Sequence, residues 1–207
     1  MNVADAIINF NRFDLLFLLF LFGMFVLGFM QGTIRRLLGL GSMLFSFLLA
    51  ANLRDVIGPF LAANWNQFPD EYAVMLGFLI VFVAATIAFS LVIQGFYHRQ
   101  PLFEKYTFVD EVLGGILGVV QGAFFVGVIF VILDSYFLIP DAPQSGGEIP
   151  FLRGIFDFYN PSGTANLFRT QLIPGFYNVF GLLIPDDLQN FYFSPSAPTT
   201  SSTTRSS

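Results

Sequence analysis

The chain contains no cysteine and a single histidine among its 207 residues. The first absence excludes disulfides and thiolate chemistry. The second excludes a metal centre built from several histidines. Charge is scarce too: 11% of residues are charged, against about 25% in a soluble domain. The net charge is −5, with no basic run that could offer a nucleic-acid surface. A removable signal peptide is not expected. Asp5 and Asp14 stand where such a segment carries positive charge, and no A-x-A-like site follows the first apolar run. Residues 15–30 are therefore expected to stay in the mature protein.

Apolar surface fills the space that charge leaves. Hydrophobic residues make up 55% of the chain, phenylalanine alone occurs 29 times, and mean hydropathy is +0.71. A soluble core of this size has no use for so much apolar area, so the chain reads as an all-α integral membrane protein. After an amphipathic lead-in at 1–12, four runs are long enough to cross a bilayer, at about 14–31, 36–53, 73–97 and 109–133. The first two are expected to form a hairpin turning near Gly32; one very long broken helix is the alternative. Residues 54–72, with Pro59, Trp65 and Pro69, read as a loop with interfacial aromatics. So does 98–107.

Residues 1–134 thus form a four-helix membrane domain, and 135–192 an extracytoplasmic or interfacial part. There, prolines at 150, 161, 174 and 185 separate segments of about ten residues, too short to span. Phe151, Leu152, Ile155, Phe156 and Tyr159 share one helical face, with Arg153 and Asp157 as an i,i+4 pair on the other. Phe176, Tyr177, Phe180, Leu183 and Ile184 repeat the pattern, which suits helices lying on the bilayer or over the bundle. Residues 193–207, rich in Ser, Thr and Pro, are expected to be disordered. Arg35, Arg36, Arg99 and Lys105 weight the first and third loops positively, against Arg54 alone in the second. The positive-inside rule then places both termini outside.

The most informative stretch is 108–134. Gly114, Gly118 and Gly122 fall four apart, so one face of a helix has no side chains to hold a neighbour away. Gly28-x-x-Gln31-Gly32 and Gly118-x-x-Gln121-Gly122 share the pattern G-x-x-Q-G. Coincidence in glycine-rich membrane helices is one reading, and a pair of close helix contacts with an amide in each is the other. Thr86, Ser90 and Gln94 make one stripe of the third span polar, to face other helices. Ser42, Ser46 and Ala50 give the second span a small, weakly polar face. Thr107 and Asp110 form a T-x-x-D capping pattern, and Asp110 and Glu111 lie at the positive end of the helix dipole. A proton relay or a docking role is the alternative for these acids.

A catalytic site is not expected. Intramembrane hydrolysis needs a Ser–His pair, paired buried acids or a metal motif, and the middles of the four runs hold no ionisable residue. The same lack weighs against an ion-coupled transporter. Ser145-Gly146-Gly147 has no triad partners. His98, beside Arg99, reads as solvated or at headgroup level, and the aromatics as packing and interface anchors before any pigment or lipid site. No cofactor is implied. The expected partners are the lipid bilayer and a membrane or periplasmic protein, with a homo-oligomer or larger complex as a further option.

On these residues the chain resembles the CvpA (colicin V production protein) family. Asp14, the first apolar helix, Gly28-x-x-x-Gly32 and the basic pair after it are similar to the family's opening. Asp110, Leu113, Gly114, Gly118 and Gly122 are similar to its D-x-x-L-G-x-x-x-G-x-x-(R)-G helix. Pro174 and Leu183-Ile184-Pro185 are similar to its tail. Family members commonly carry Arg where Gln31 and Gln121 stand here, and Asp-Arg where this chain has Asp110-Glu111. The resemblance implies a four-helix bacterial inner-membrane protein without known catalytic activity, linked to colicin V production and export and, more loosely, to envelope homeostasis. Related modules anchor periplasmic serine proteases, and this chain holds no protease domain. A partner-holding role in export or envelope upkeep is the leading expectation. A transporter or channel component, or a structural subunit of a larger complex, is the alternative.

Overall fold

A computed structural model describes residues 11–65, 68–96, 107–138, 148–185 and 188. The expected disordered tail, the amphipathic lead-in up to residue 10, His98, Arg99, Lys105 and the 145–147 segment lie outside them. Four long helices are present: α1 Arg12–Gln31, α2 Thr33–Asn64, α3 Asp70–Phe96 and α4 Thr107–Phe137. All four are long and apolar enough to cross a membrane. Short helices α5 Pro150–Tyr159, α6 Gly163–Leu167 and α7 Ile173–Phe180 follow, with a π-helical segment Phe168–Leu172 joining α6 to α7. No strand occurs among the described residues.

Glycine at position 32 makes the first turn. Its φ of +78° is accessible to glycine without strain, and it lets α1 reverse into α2 within one residue. The expected hairpin is therefore present, with α4 packed against both of its arms. Helix α4 runs antiparallel to α1, with Gly114 at Gly28 and Phe130 at Phe13. It runs parallel to α2, with Asp110 at Thr33 and Phe124 at Phe47. Helix α3 returns along α2, where Gly58 lies against Val74 and Gly77. The small face expected on α2 is used here: Ser46 and Ala50 are fully buried.

Two boundaries differ from expectation, each at a proline. The 54–72 segment is mostly helical: α2 continues through Pro59 to Asn64, and α3 begins at Asp70. Pro59 removes one backbone donor, but packing of Gly58 on Val74 holds the helix together on both sides of it. Likewise Pro174 does not separate two short helices. The π-helical turn just before it re-registers the backbone bonds, so the chain stays helical from Gly163 through Leu183.

This continuous piece forms a strap across the bundle. Thr164 meets Asp14 on α1, Phe168 meets Phe17 and Gly127, Phe176 meets Phe47 and Phe124, and Leu183 meets Asn52 on α2. Charge marks the depth at which it lies. On α4, no charged residue separates Glu111 from Asp134. At 1.5 Å per residue that interval matches a hydrocarbon core of about 30 Å. Asp14, Arg169 and Asp134 gather at one edge of it and Asp110 at the other. From that edge the strap reaches inward along the bundle, since Phe176 packs on Phe124, ten residues before Asp134.

Candidate functional site: a glycine seam and its buried acids

The α1–α4 contact is a backbone-to-backbone approach. A Cβ placed on Gly114 would sit 2.6 Å from the Gly28 carbonyl oxygen and 2.8 Å from the Gly32 carbonyl carbon. One on Gly28 would strike the Gly114 carbonyl, and one on Gly118 the Met24 carbonyl. Gly122 meets side chains instead, at 2.8 Å from Met24 Cγ. The two G-x-x-Q-G copies therefore touch each other: a Cβ on Gly118 would lie 3.2 Å from Gly28 Cα. They form one shared crossing, where two separate contacts were a reading of the sequence.

The polar groups beside the seam are spent on linking helices. Asp110, 6% exposed, does not turn back on its own helix start. One carboxylate oxygen accepts from the Thr33 backbone N–H at 3.4 Å, and the Thr33 hydroxyl donates to the Asp110 carbonyl at 2.8 Å. Asp110 thus caps α2, whose own N-cap is the side-chain-free Gly32. This corrects the capping-box expectation: Thr107 is exposed, Glu111 is half-buried, and the acid serves another helix. Gly32 is needed twice over, for its φ and because a Cβ would lie 2.7 Å from Asp110 Oδ2.

One turn further along α2, Arg36 is buried rather than in a loop. Its guanidinium donates to Gln121 Oε1 at 2.9 Å, and its Nε finds no partner. Gly39 leaves the room for that amide, since a Cβ there would be 2.8 Å from Gln121 Nε2. Gln31 is half-buried at the end of α1. On α3, Thr86 and Ser90 are half-buried, and the Thr86 hydroxyl is enclosed without a partner. The Gln94 side chain lies outside what is described. The cavities described here are lined by other residues.

The opposite edge carries two more buried acids. Asp14 closes a capping box with Asn11 at the start of α1. It also accepts from the N–H groups of Gly163 at 3.3 Å and Thr164 at 2.8 Å, so it caps the strap as well. Asp134, at the expected end of the four-helix domain, is completely buried. Arg169 grips it with two bonds of 2.7 and 2.6 Å, and the Tyr159 hydroxyl adds a third at 2.8 Å. Arg169 also lies over the Tyr159 ring, 5.6 Å from its centroid. Burial pushes the Tyr159 phenol well above its ordinary value, so it stays a neutral donor to Asp134, and burial raises the Tyr177 phenol likewise.

A fourth cluster joins α5 to the bundle. Arg153 turns away from the exposed Asp157 and takes both oxygens of Glu148. Tyr136 donates to Glu148 at 2.9 Å, and the Ile149 N–H donates to Tyr72 Oη at 3.0 Å. The Arg153 hydrogen bond holds the Glu148 carboxyl below the usual range. Of these partners, Tyr159, Glu148 and Arg169 escaped the sequence reading. Arg169 did leave a signal: it is the sole charge between Asp157 and Asp186, which marks it as a candidate for pairing with an acid of the bundle.

The colicin V production protein family model matches residues 13–153, about two thirds of the chain. The chain belongs to the colicin V production protein family. The match covers α1 to α4 and stops early in α5. The glycine seam, Asp14, Asp110 and Asp134 lie inside it, whereas the strap residues Thr164 and Arg169 that engage two of those acids lie beyond it. No curated protein and no solved structure matches the chain. Within the family, this is a helical membrane protein linked to colicin V production, and the family is not known for a catalytic activity.

Proposed function

We propose that the protein is a non-catalytic inner-membrane component that supports toxin or protein export, or envelope upkeep, by holding a protein partner. The observation that carries this reading is the strap. It is fixed across three helices by Asp14, Asp134 and Asn52, yet turns apolar residues outward, with Val179 73% and Leu182 100% exposed. A rigid frame with an apolar outer rim suits docking at the membrane edge better than it suits turnover. The buried charges support it as well, since Asp14, Asp110, Asp134 and Arg36 each serve a helix junction.

In this reading the Gly32 turn and the start of α4, which lie together, face the cytoplasm, and the strap and both termini face outward. A Ser145→Cys variant, with no other cysteine to react, should label with an impermeant maleimide in intact cells; protection would reverse the orientation. The partner is tested with photo-crosslinkers at Val179 and Phe151, followed by mild extraction from native membranes. An adduct of one defined mass from these sites, absent from a probe at lipid-facing Leu19, is expected. Equal labelling from all three sites would defeat the proposal. The second reading, a transporter or channel component, draws on the enclosed, unpartnered Thr86 hydroxyl. Solute flux in proteoliposomes of the pure protein is its test. Co-purification at fixed stoichiometry would instead indicate a structural subunit.

A further inference from the structure

Beneath the strap lies a cavity of about 220 Å³, roofed by Phe168, Leu172 and Phe176 and floored by Phe47, Phe124 and Gly127. For scale, an engineered cavity of about 150 Å³ lined by apolar side chains stays dry and binds benzene. The lining here is likewise hydrocarbon, and a water molecule needs two to four polar partners. Two lining residues, Val120 and Leu172, are also exposed on the outside of the bundle, at 46% and 47%. Through them the cavity is continuous with the lipid-facing band of the four spanning helices. Gly127 is seven residues before Asp134, so the floor lies roughly 10 Å below the charged edge. What stands outside the opening at that depth is the acyl part of the bilayer.

We infer that this cavity is a binding site for a single acyl chain. A helix, about 10–12 Å across with its side chains, does not enter such a volume, whereas one extended hydrocarbon chain does. The π-helical turn supplies the shape. It brings Phe168 onto the side-chain-free notch at Gly127, where a Cβ would lie 3.0 Å from the ring. Leu172 and Phe176 then stand over the gap that remains. π-Turns are rare and recur at functional sites. The chain belongs either to a bilayer phospholipid or to a free fatty acid, since the walls recognise only methylenes. This inference does not depend on the strap holding a protein partner.

The test uses the full chain in vesicles of phosphatidylethanolamine and phosphatidylglycerol, with a diazirine on the acyl chain of either a phosphatidylglycerol or a free fatty acid. After illumination, adducts are mapped by mass spectrometry. Adducts at Phe124, Leu172 and Phe176 should exceed those at lipid-facing Leu19 and Ile87 several-fold, in one arm or both, and the productive arm names the source. Ala123→Phe fills the cavity and should abolish that excess while Leu19 labelling persists. Val120→Trp, which blocks the opening from outside, does the same should the first variant fail to fold. Labelling no stronger than at Leu19 in both arms, or an excess that survives filling, would overturn the inference.

Discussion

Replacing Gly114 by alanine adds one methyl group to the seam, and the geometry states what that methyl meets. Its nearest neighbours would be the Gly28 carbonyl oxygen at 2.6 Å, the Gly32 carbonyl carbon at 2.8 Å and the Gly32 Cα at 3.0 Å. All three are backbone atoms, so no side chain can swing aside. Ordinary contact begins near 3.4 Å, so α1 must retreat from α4 by roughly 0.8 Å. A gap of about 0.5–1 Å forfeits a quarter to a half of each dispersion contact along the interface. Overpacking of this kind costs about 1–3 kcal/mol. The same change at Gly23, on the same bundle but with nothing within 4 Å of its Cβ, should stay within about 0.5 kcal/mol of the parent. The assay is unfolding of both variants in a mild detergent, followed by helical signal or by protease access to the strap. The reasoning fails if Gly114→Ala melts with the parent, or if Gly23→Ala falls as far as Gly114→Ala.

Arg169→Met should cost about 3–5 kcal/mol, because it leaves the fully buried Asp134 without its cation. The double variant Arg169→Met/Asp134→Leu should recover most of that loss in the same melts, and failure to recover would deny the pair its role. Asp110→Asn keeps an acceptor for the Thr33 N–H and should cost less than Asp110→Ala, expected near 1–2 kcal/mol for a lost cap; equal losses would contradict capping of α2. For Glu148 the sign follows from its depressed carboxyl. Its contribution to stability is complete above the unfolded value near 4.5 and is lost as pH falls below it through the folded value. Thermal midpoints measured from pH 6 down to pH 3.5 should therefore drop more in the parent than in Glu148→Gln. Parallel curves would show that the Arg153 contact contributes nothing.

Much of the scaffold was legible because its signals are local. Apolar runs bounded by charges define spans: Asp14 and Asp70-Glu71 stand within a few residues of the starts of α1 and α3, whereas Arg54-Asp55, read as the end of the second span, lies inside α2. The glycine spacing at 114, 118 and 122 marks a close-packed face whatever lies on it. Where the reading missed, a contact distant in sequence decided the outcome. Pro59 and Pro174 look like helix ends, and only packing of Gly58 on Val74 and a π-turn under Phe168 show that the helices continue. Arg36 beside Arg35 looks like loop charge, because nothing nearby in the chain tells that Gln121 receives it. Arg153 had two acids within helical reach or close to it, and the geometry chose Glu148 over Asp157.

What the sequence determined by itself is the solvent and the element type: so little charge points to a bilayer, where an unpaired backbone group is too costly, and apolar runs of about twenty residues suit helices, whereas barrel strands run only about ten. It also determined that α4 would offer a bare glycine face. The tertiary structure alone decided what met that face, namely Gly28 and the turn at Gly32. It decided, too, that the acids at 14, 110 and 134 would serve helices other than, or as well as, their own. The physical reason is that a buried carboxylate in a low-dielectric interior takes whichever donor the packing brings within about 3 Å. Helix spacing cannot reveal a donor that lies 35 to 150 residues away.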